Sequence, residues 1–328
     1  MRRREFIKIS ALTSATAFLR PASAQQAATP VIGFLSGRGA QDSAYLVDAF
    51  RDGLREVGYS EGETVTIVYR WANGDYSRLR GLASELLARN VRVLVAVGGD
   101  SSAKAAKEAT STVPIVFGMG NDPVKAGLVG SLSRPGGNAT GFTLLTGRLE
   151  AKRVGLLQEI MPPGSSLGTL MDPNFLLAAD NLHDIENAAR SIRRELIVCK
   201  AGNDAEIESA FAMFAGQKVG AVLVAAAPFF DTRRQRIIAL AAQRRIPAMY
   251  QFREFAVAGG LMSYGPRIAD SYRQAGNYAG RILRGARPSD LPVLQSERFE
   301  LIINMRTANV LELSIPNAMQ LLADEVIE

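Results

Sequence analysis

Three short stretches carry residue types that could do chemistry. In "GGDSS", Gly98 and Gly99 let the chain approach a bound molecule, and Asp100, Ser101 and Ser102 can open the helix that follows. Free N–H groups and the positive end of a helix favour a carboxylate or another anion there, while Asp100 and Ser101 are equally suited to capping the helix themselves. In "NDP", Asn121 and Asp122 can serve the same purpose, or form a turn with Pro123 at the first helical position. The third stretch, Asp172-Pro173-Asn174, would face them from another part of the chain. Asp122, Asp172 and Glu254 could also form a carboxylate pair of the glycoside-hydrolysing kind, although binding roles account for them more simply.

Other chemistry has little support. His183 is the single histidine and sits mid-helix beside Asn181, Asp184 and Glu186, so a Ser-His-Asp device has no home. No CxxC, HExxH or Walker lysine loop occurs. "VIGFLSGRGAQD" at 31–42 opens like a dinucleotide-binding unit, but Asp42 stands where the third glycine should be. The next strand ends in Arg70 and Trp71 rather than in an acid for a ribose hydroxyl. No metal, no cofactor and no enzymatic activity are expected.

The elements that must position these groups alternate regularly. Short apolar runs predict strands at 30–36, 64–70, 92–97, 114–118 and 138–142, with helices near 43–57, 76–89, 101–110 and 124–132. A second series predicts strands at 166–171, 195–200, 219–225, 246–250 and 260–264, with helices near 149–161, 177–193, 204–215, 231–244 and 268–284. Such alternation predicts parallel sheets covered on both faces, and so many units exceed one comfortable sheet. The fold class is therefore α/β, with two doubly wound parallel-sheet lobes; a single extended sheet is the competing architecture. Breaks at 134–143, 259–266 and 287–293 supply three thin crossings. The first lobe is assigned 30–142 plus 266–292, and the second 143–265 plus 293–328. A cleft between them would be lined by the loops at the strand ends: Ser36, Gly37 and Arg38; the GGDSS and NDP loops; Asp172 and Asn174; Ala227, Pro228 and Phe229; Tyr250 through Glu254; and Tyr264.

Composition sets the class. The chain has 328 residues, 47% hydrophobic and 21% charged, which gives ample core without disulfide or metal staples. The formal charge is +6, but without the first 24 residues it falls to +2. That removes most of the electrostatic case for nucleic acid. "RRREFIKIS", a mild apolar stretch and Ala22-Ser23-Ala24 together look like an export signal of the twin-arginine kind, cleaved near Ala24, and an amphipathic first helix is the alternative. No cysteine stands at that site for a lipid anchor, and Cys199 has no internal partner and suits a core position. A soluble periplasmic monomer is expected.

Longer motifs carry a resemblance. "GNDPVKAGLVGSLSRPGGNATGFT" at 120–143 and "KRVGLLQEIMP" at 152–162 are similar to the centre of the ABC-transporter substrate-binding proteins related to the tryptophan-binding type. "IPAMYQFREFAVAGGLMSYG" at 246–265 and "FELIINMRTANVLELSIP" at 299–316 resemble that family's C-terminal half. The resemblance implies a type I periplasmic-binding fold, three crossovers, and closure over one small molecule delivered to a membrane permease with its cytoplasmic ATPase. It also implies ligand contacts from Gly98 to Ser102, from Asn121 and Asp122, from Asp172 to Asn174, and from the loop after Ala226. The first loop, Ser36-Gly37-Arg38, departs from the tryptophan binders, so the solute does not carry over. Arg38 and Arg253 suit an organic acid, and Phe229, Tyr250 and Tyr264 could stack on a ring or serve core and hinge packing. A small organic anion, an aromatic acid or an amino acid is expected. A periplasmic sensor for a signalling partner, or an exported hydrolase, is the alternative.

Overall fold

The computed structural model describes residues 29–176 and 178–328. The export signal expected at 1–24 lies outside the described residues.

Runs rich in Val, Ile and Leu form buried strands, because branched aliphatic side chains suit a sheet covered on both faces. The first sheet contains β1 (Val31–Ser36), β2 (Thr66–Trp71), β3 (Val93–Val97), β4 (Ile115–Met119) and β5 (Ala139–Thr143). The second contains β6 (Leu167–Met171), β7 (Leu196–Lys200), β8 (Ala221–Val224), β9 (Ala248–Tyr250) and β10 (Met262–Pro266). Three late strands complete them: β11 (Leu294–Gln295), β12 (Phe299–Asn304) and β13 (Glu325–Ile327). The spatial orders are β2-β1-β3-β4-β5-β11 and β7-β6-β8-β9-β10-β12-β13, the same winding used twice. Pairing is parallel throughout except between β10 and β12. Two sheets, each with its own helices, are the expected α/β architecture.

Apolar helix stripes close the layers. In the helix Ala44–Glu56, Leu46, Val47, Phe50 and Leu54 are buried against one face of the first sheet. The helix Ile268–Leu283 follows a strand of the second sheet yet joins that same cluster through Tyr272, Ala275, Ala279 and Ile282. The two helices meet backbone to backbone: a Cβ on Gly276 would lie 2.0 Å from the Phe50 carbonyl oxygen. Each such buried aliphatic or aromatic side chain contributes about 1.5–3 kcal/mol.

Two expectations change. Residues 124–132 form turns rather than a helix; the Asp122 carboxylate accepts from the Val124 and Lys125 N–H groups, and Gly127 then takes a positive φ of 71°. The third crossing follows Gln295 rather than falling in 287–293, because Leu294 and Gln295 pair with Phe142 and Thr143 of the first sheet.

Two of the crossings share a buried ion pair. Arg153 lies 3.0 Å from Glu150, and both side chains are 0% exposed. Arg153 Nε donates to the Tyr264 carbonyl at the end of the second sheet, and Nη1 donates to the Thr146 carbonyl in the first crossing. Glu150 accepts from the Ala226 N–H. Burial pushes the Glu150 carboxyl up, and Arg153 draws it back down.

Candidate functional site

The C-terminal ends of both sets of strands face one another across a narrow, nearly filled slot with about 30 Å³ of free space. From the first lobe it is lined by Arg38 after β1, Gly98 and Gly99 after β3, and Gly118 to Gly120 at the end of β4. Phe142 lines it from β5, Leu144 and Thr146 from the first crossing, and Ile268 and Tyr272 from the helix after the second. The second lobe supplies Phe175, Ala226 to Pro228, Asp231, Gln251 and Phe252.

The GG loop is built for close approach. Gly98 and Gly99 have φ of 73° and 114°, and a Cβ on Gly99 would sit 2.5 Å from Cγ of Pro228 in the opposite lobe. Gly99 takes the N-cap position of the helix Asp100–Ala109, and no side chain caps it. The fully buried Asp100 carboxylate instead accepts from Gly120 N and Asn121 Nδ2, both at 2.6 Å, tying this loop to the next. Burial lifts Asp100 to about 6 against the pull of those two donors. A carboxylate already holds this helix end, so an external anion meets a like charge there.

The lobes are joined across the cleft by polar contacts. Arg38 Nη2 lies 2.6 Å from Asp231 Oδ2, with the side chains 3% and 2% exposed. Gln251 Nε2 donates to the other Asp231 oxygen at 2.6 Å, and the Arg38 guanidinium lies 5.3 Å from the centre of the Phe252 ring. Burial opposes the Arg38 charge, but Asp231, Tyr272, Tyr45 and Glu254 together outweigh it and the pKa is raised. Burial also pushes the Asp231 carboxyl up, with Arg38 and Gln251 acting in the opposite direction. Nearer the cleft mouth, Tyr76 of the first lobe donates to Asp172 and accepts from the Phe229 N–H, each at 3.0 Å. Arg233 reaches back to donate to the Asn73 carbonyl at 2.9 Å.

The expected site residues therefore separate. Arg38, Gly98, Gly99, Ala227 and Pro228 line the cavity. Ser36, Gly37 and Ser102 are buried just behind it, where Ser36 Oγ accepts from the Arg38 N–H. Asp172 is buried against Tyr76 and Asn174 N, Phe229 packs beside the cleft mouth under Arg233, and Asn174 lies at the exposed rim. Ser101 and Asn121 do not line the cavity, and Asp122 caps its own turn and meets exposed Arg148 at 3.4 Å. Tyr250 corrects the stacking expectation: it is 1% exposed inside the second core, against Phe255. Arg253 does not face the cleft, being paired with buried Glu300 and with exposed Glu325. Tyr264 packs toward Phe299 outside the cavity, and Glu254 stands behind Asp231 rather than on the wall. Asp231 and Tyr272 were not anticipated. Pro228 starts a short helix, which places Asp231 in its first turn, and that was the available signal for Asp231.

Among the described residues no group of three His, Cys, Asp or Glu side chains could hold a metal, and no helix is long and apolar enough to cross a membrane. His183 is exposed on its helix. Two like-wound lobes, three crossings and a slot lined from both sides are the architecture of a two-lobed ligand-binding protein. The chain belongs to the family of ABC transporter substrate binding proteins, whose model matches residues 30–327. It is 26% identical over 285 residues to a tyrosine-binding protein of Clostridioides difficile, covering 84% of this chain and 80% of that one. A conserved domain protein of Vibrio cholerae has a similar structure, with TM-score 0.83 and 26% identity over 91% of this chain and 99% of the other. The ABC domain from Streptococcus pneumonia in complex with L-Trp shares the fold at TM-score 0.81 and 23% identity, over 91% of this chain and 100% of that one.

Proposed function

We propose that this protein is the extracytoplasmic solute-binding component of an ABC import system. It captures an amino acid or a related small organic acid between its lobes and presents the closed form to a membrane permease driven by a cytoplasmic ATPase. The reading is carried by one observation: a slot whose walls come from both lobes and from two of the crossings. A solute held there touches both sides at once, and those added contacts favour the closed arrangement. The amino acids named for the Clostridioides and Streptococcus proteins support the solute class. The ligand contacts assigned here are Arg38, Gly98, Gly99, Ala227, Pro228 and Asp231, with Asp172 acting through closure. Export of the chain, through the segment 1–24, completes the proposal. Calorimetric titration of the purified protein against organic acids, amino acids and sugars tests it. Binding in the micromolar range or tighter by a member of the first two classes is expected, and binding of neutral sugars alone overturns it.

A further inference from the structure

Asp100 is buried without a counter-charge, directly behind the slot wall. It is 0% exposed, and the two donors it accepts from, Gly120 N and Asn121 Nδ2, are neutral amides. Its Oδ1 lies 3.7 Å from the point where a Cβ on Gly120 would stand, and Gly120 lines the slot, so only that backbone separates the carboxylate from the slot. In the other direction the chain runs back through Gly99 to Gly98, where a Cβ would stand 3.2 Å from Arg38 Cγ. Arg38 is the single cation lining the slot among the described residues, so a carboxylate drawn to it enters the field of Asp100.

The charged groups on the surrounding elements are engaged elsewhere. On the same helix Lys104 pairs with Glu108, and Lys107 donates to the Asn138 side chain. In the turn after Gly120, Asp122 meets Arg148, and in the helix after the first crossing Glu150 meets Arg153. Across the slot Arg38 meets Asp231, with the Tyr272 hydroxyl on the same wall. Burial, opposed by the hydrogen bonds from Asn121 and Gly120, sets the proton affinity of Asp100, and none of these charges contributes. An ionised carboxylate so placed is uncompensated, and a second one arriving in the slot adds like-charge repulsion. A proton taken from solvent by Asp100 removes both costs. We propose that Asp100 couples solute capture to proton uptake: ionised, it opposes a carboxylate in the slot, and protonated, it admits one. Asp100 does not touch the solute; it sets the charge behind the wall that Gly98, Gly99 and Gly120 present. This rests on the solute-binding reading above and adds pH as a determinant of affinity.

The test uses the unaltered protein and the acid or amino acid that binds tightest in the titration above. Its affinity is measured calorimetrically from pH 8 to pH 5.5, a range in which the solute carboxylate stays ionised. An affinity about tenfold higher at pH 5.5 is expected, the scale of two like charges interacting within a partly buried site. Titration at pH 6 in buffers of different ionisation enthalpy should report net proton uptake on binding. Asp100→Asn keeps the shape and removes the charge, so it is expected to bind at pH 8 as tightly as the unaltered protein does at pH 5.5, and to lose the pH dependence. An affinity that changes less than about threefold overturns the inference and leaves the solute-binding reading intact. A pH dependence that persists in Asp100→Asn overturns it too, by assigning the proton to another acid such as Asp231. Binding of neutral sugars alone removes both readings. Where Asp100→Asn does not fold, the Asp100 carboxyl carbon signal of the unaltered protein decides by NMR: its titration midpoint should rise when the solute is added, and an unmoved midpoint overturns the inference.

Discussion

Replacing Arg153 with methionine should destabilise the protein strongly while leaving the cavity wall unaltered. The side chain is 0% exposed and holds three oxygens at once: Glu150 at 3.0 Å, the Tyr264 carbonyl at 2.8 Å and the Thr146 carbonyl at 3.3 Å. Methionine fills much of the volume but offers none of the donors, so Glu150 is left buried without its counter-charge. Removing one partner of a buried pair costs about 3–5 kcal/mol, and in a protein of this size each kcal/mol lowers the melting temperature by about 2–4 °C. A fall of about 6–20 °C in calorimetric melting at pH 7.5 is therefore expected. The double variant Glu150→Gln/Arg153→Met removes the stranded charge and should recover more than half of the loss. A single variant melting within 2 °C of the unaltered protein would refute the reasoning, and so would a double variant no better than the single one.

Four further outcomes follow from the cleft. Tyr76→Phe removes two interlobe hydrogen bonds, to Asp172 and from Phe229 N, and should weaken solute binding about tenfold with little change in melting, measured by paired calorimetry. Asp172→Ala should act in the same direction, and a large loss of stability with unchanged affinity would instead assign Asp172 to the scaffold. Gly99→Ala places a methyl group 2.5 Å from Pro228, so the lobes should be held apart; small-angle scattering should report a larger radius of gyration, and an unchanged radius with unchanged affinity would contradict the contact. Asp100, lifted to about 6 from an ordinary 3.8, binds its proton more tightly folded than unfolded. Its contribution to stability is thus greatest below about pH 4 and is lost as pH rises through 6. A carboxyl carbon titration by NMR with a midpoint below 4.5 would contradict this.

Most of the scaffold was legible because it rests on local pattern. VLVAV at 93–97 and AVLV at 221–224 contain only residues that a doubly covered strand tolerates, and both are strands with every residue buried. The 124–132 segment misled because its apolar residues have helical spacing, while the Asp122 cap and Gly127 close it after a turn. β11 is two residues long and is defined only by its partner β5, so no periodicity could reveal it. In the site, glycines at 98 and 99 declared themselves, since only a close approach explains them after a strand. Arg38 was visible as a cation but its partner was not, because the pairing with Asp231 spans 193 positions and two lobes. Arg253 illustrates the converse: its acidic neighbours Glu300 and Glu325 lie far along the chain, and they neutralise a group that looked free for a solute. Tyr250 and Tyr264 were ambiguous because sequence marks a ring without marking which side of a strand it leaves.

The helix Ile268–Leu283 lies in the first core although it is spelled near the end of the chain. An elongating ribosome therefore releases a complete second set of parallel strands, β6 to β10, before the earlier-made half can bury the apolar face of its own opening helix. N-terminal domains commonly mature first during synthesis. Here the nascent first half stays open to water until about nine-tenths of the polypeptide has emerged, a long interval in which a holding chaperone would find an unsealed surface.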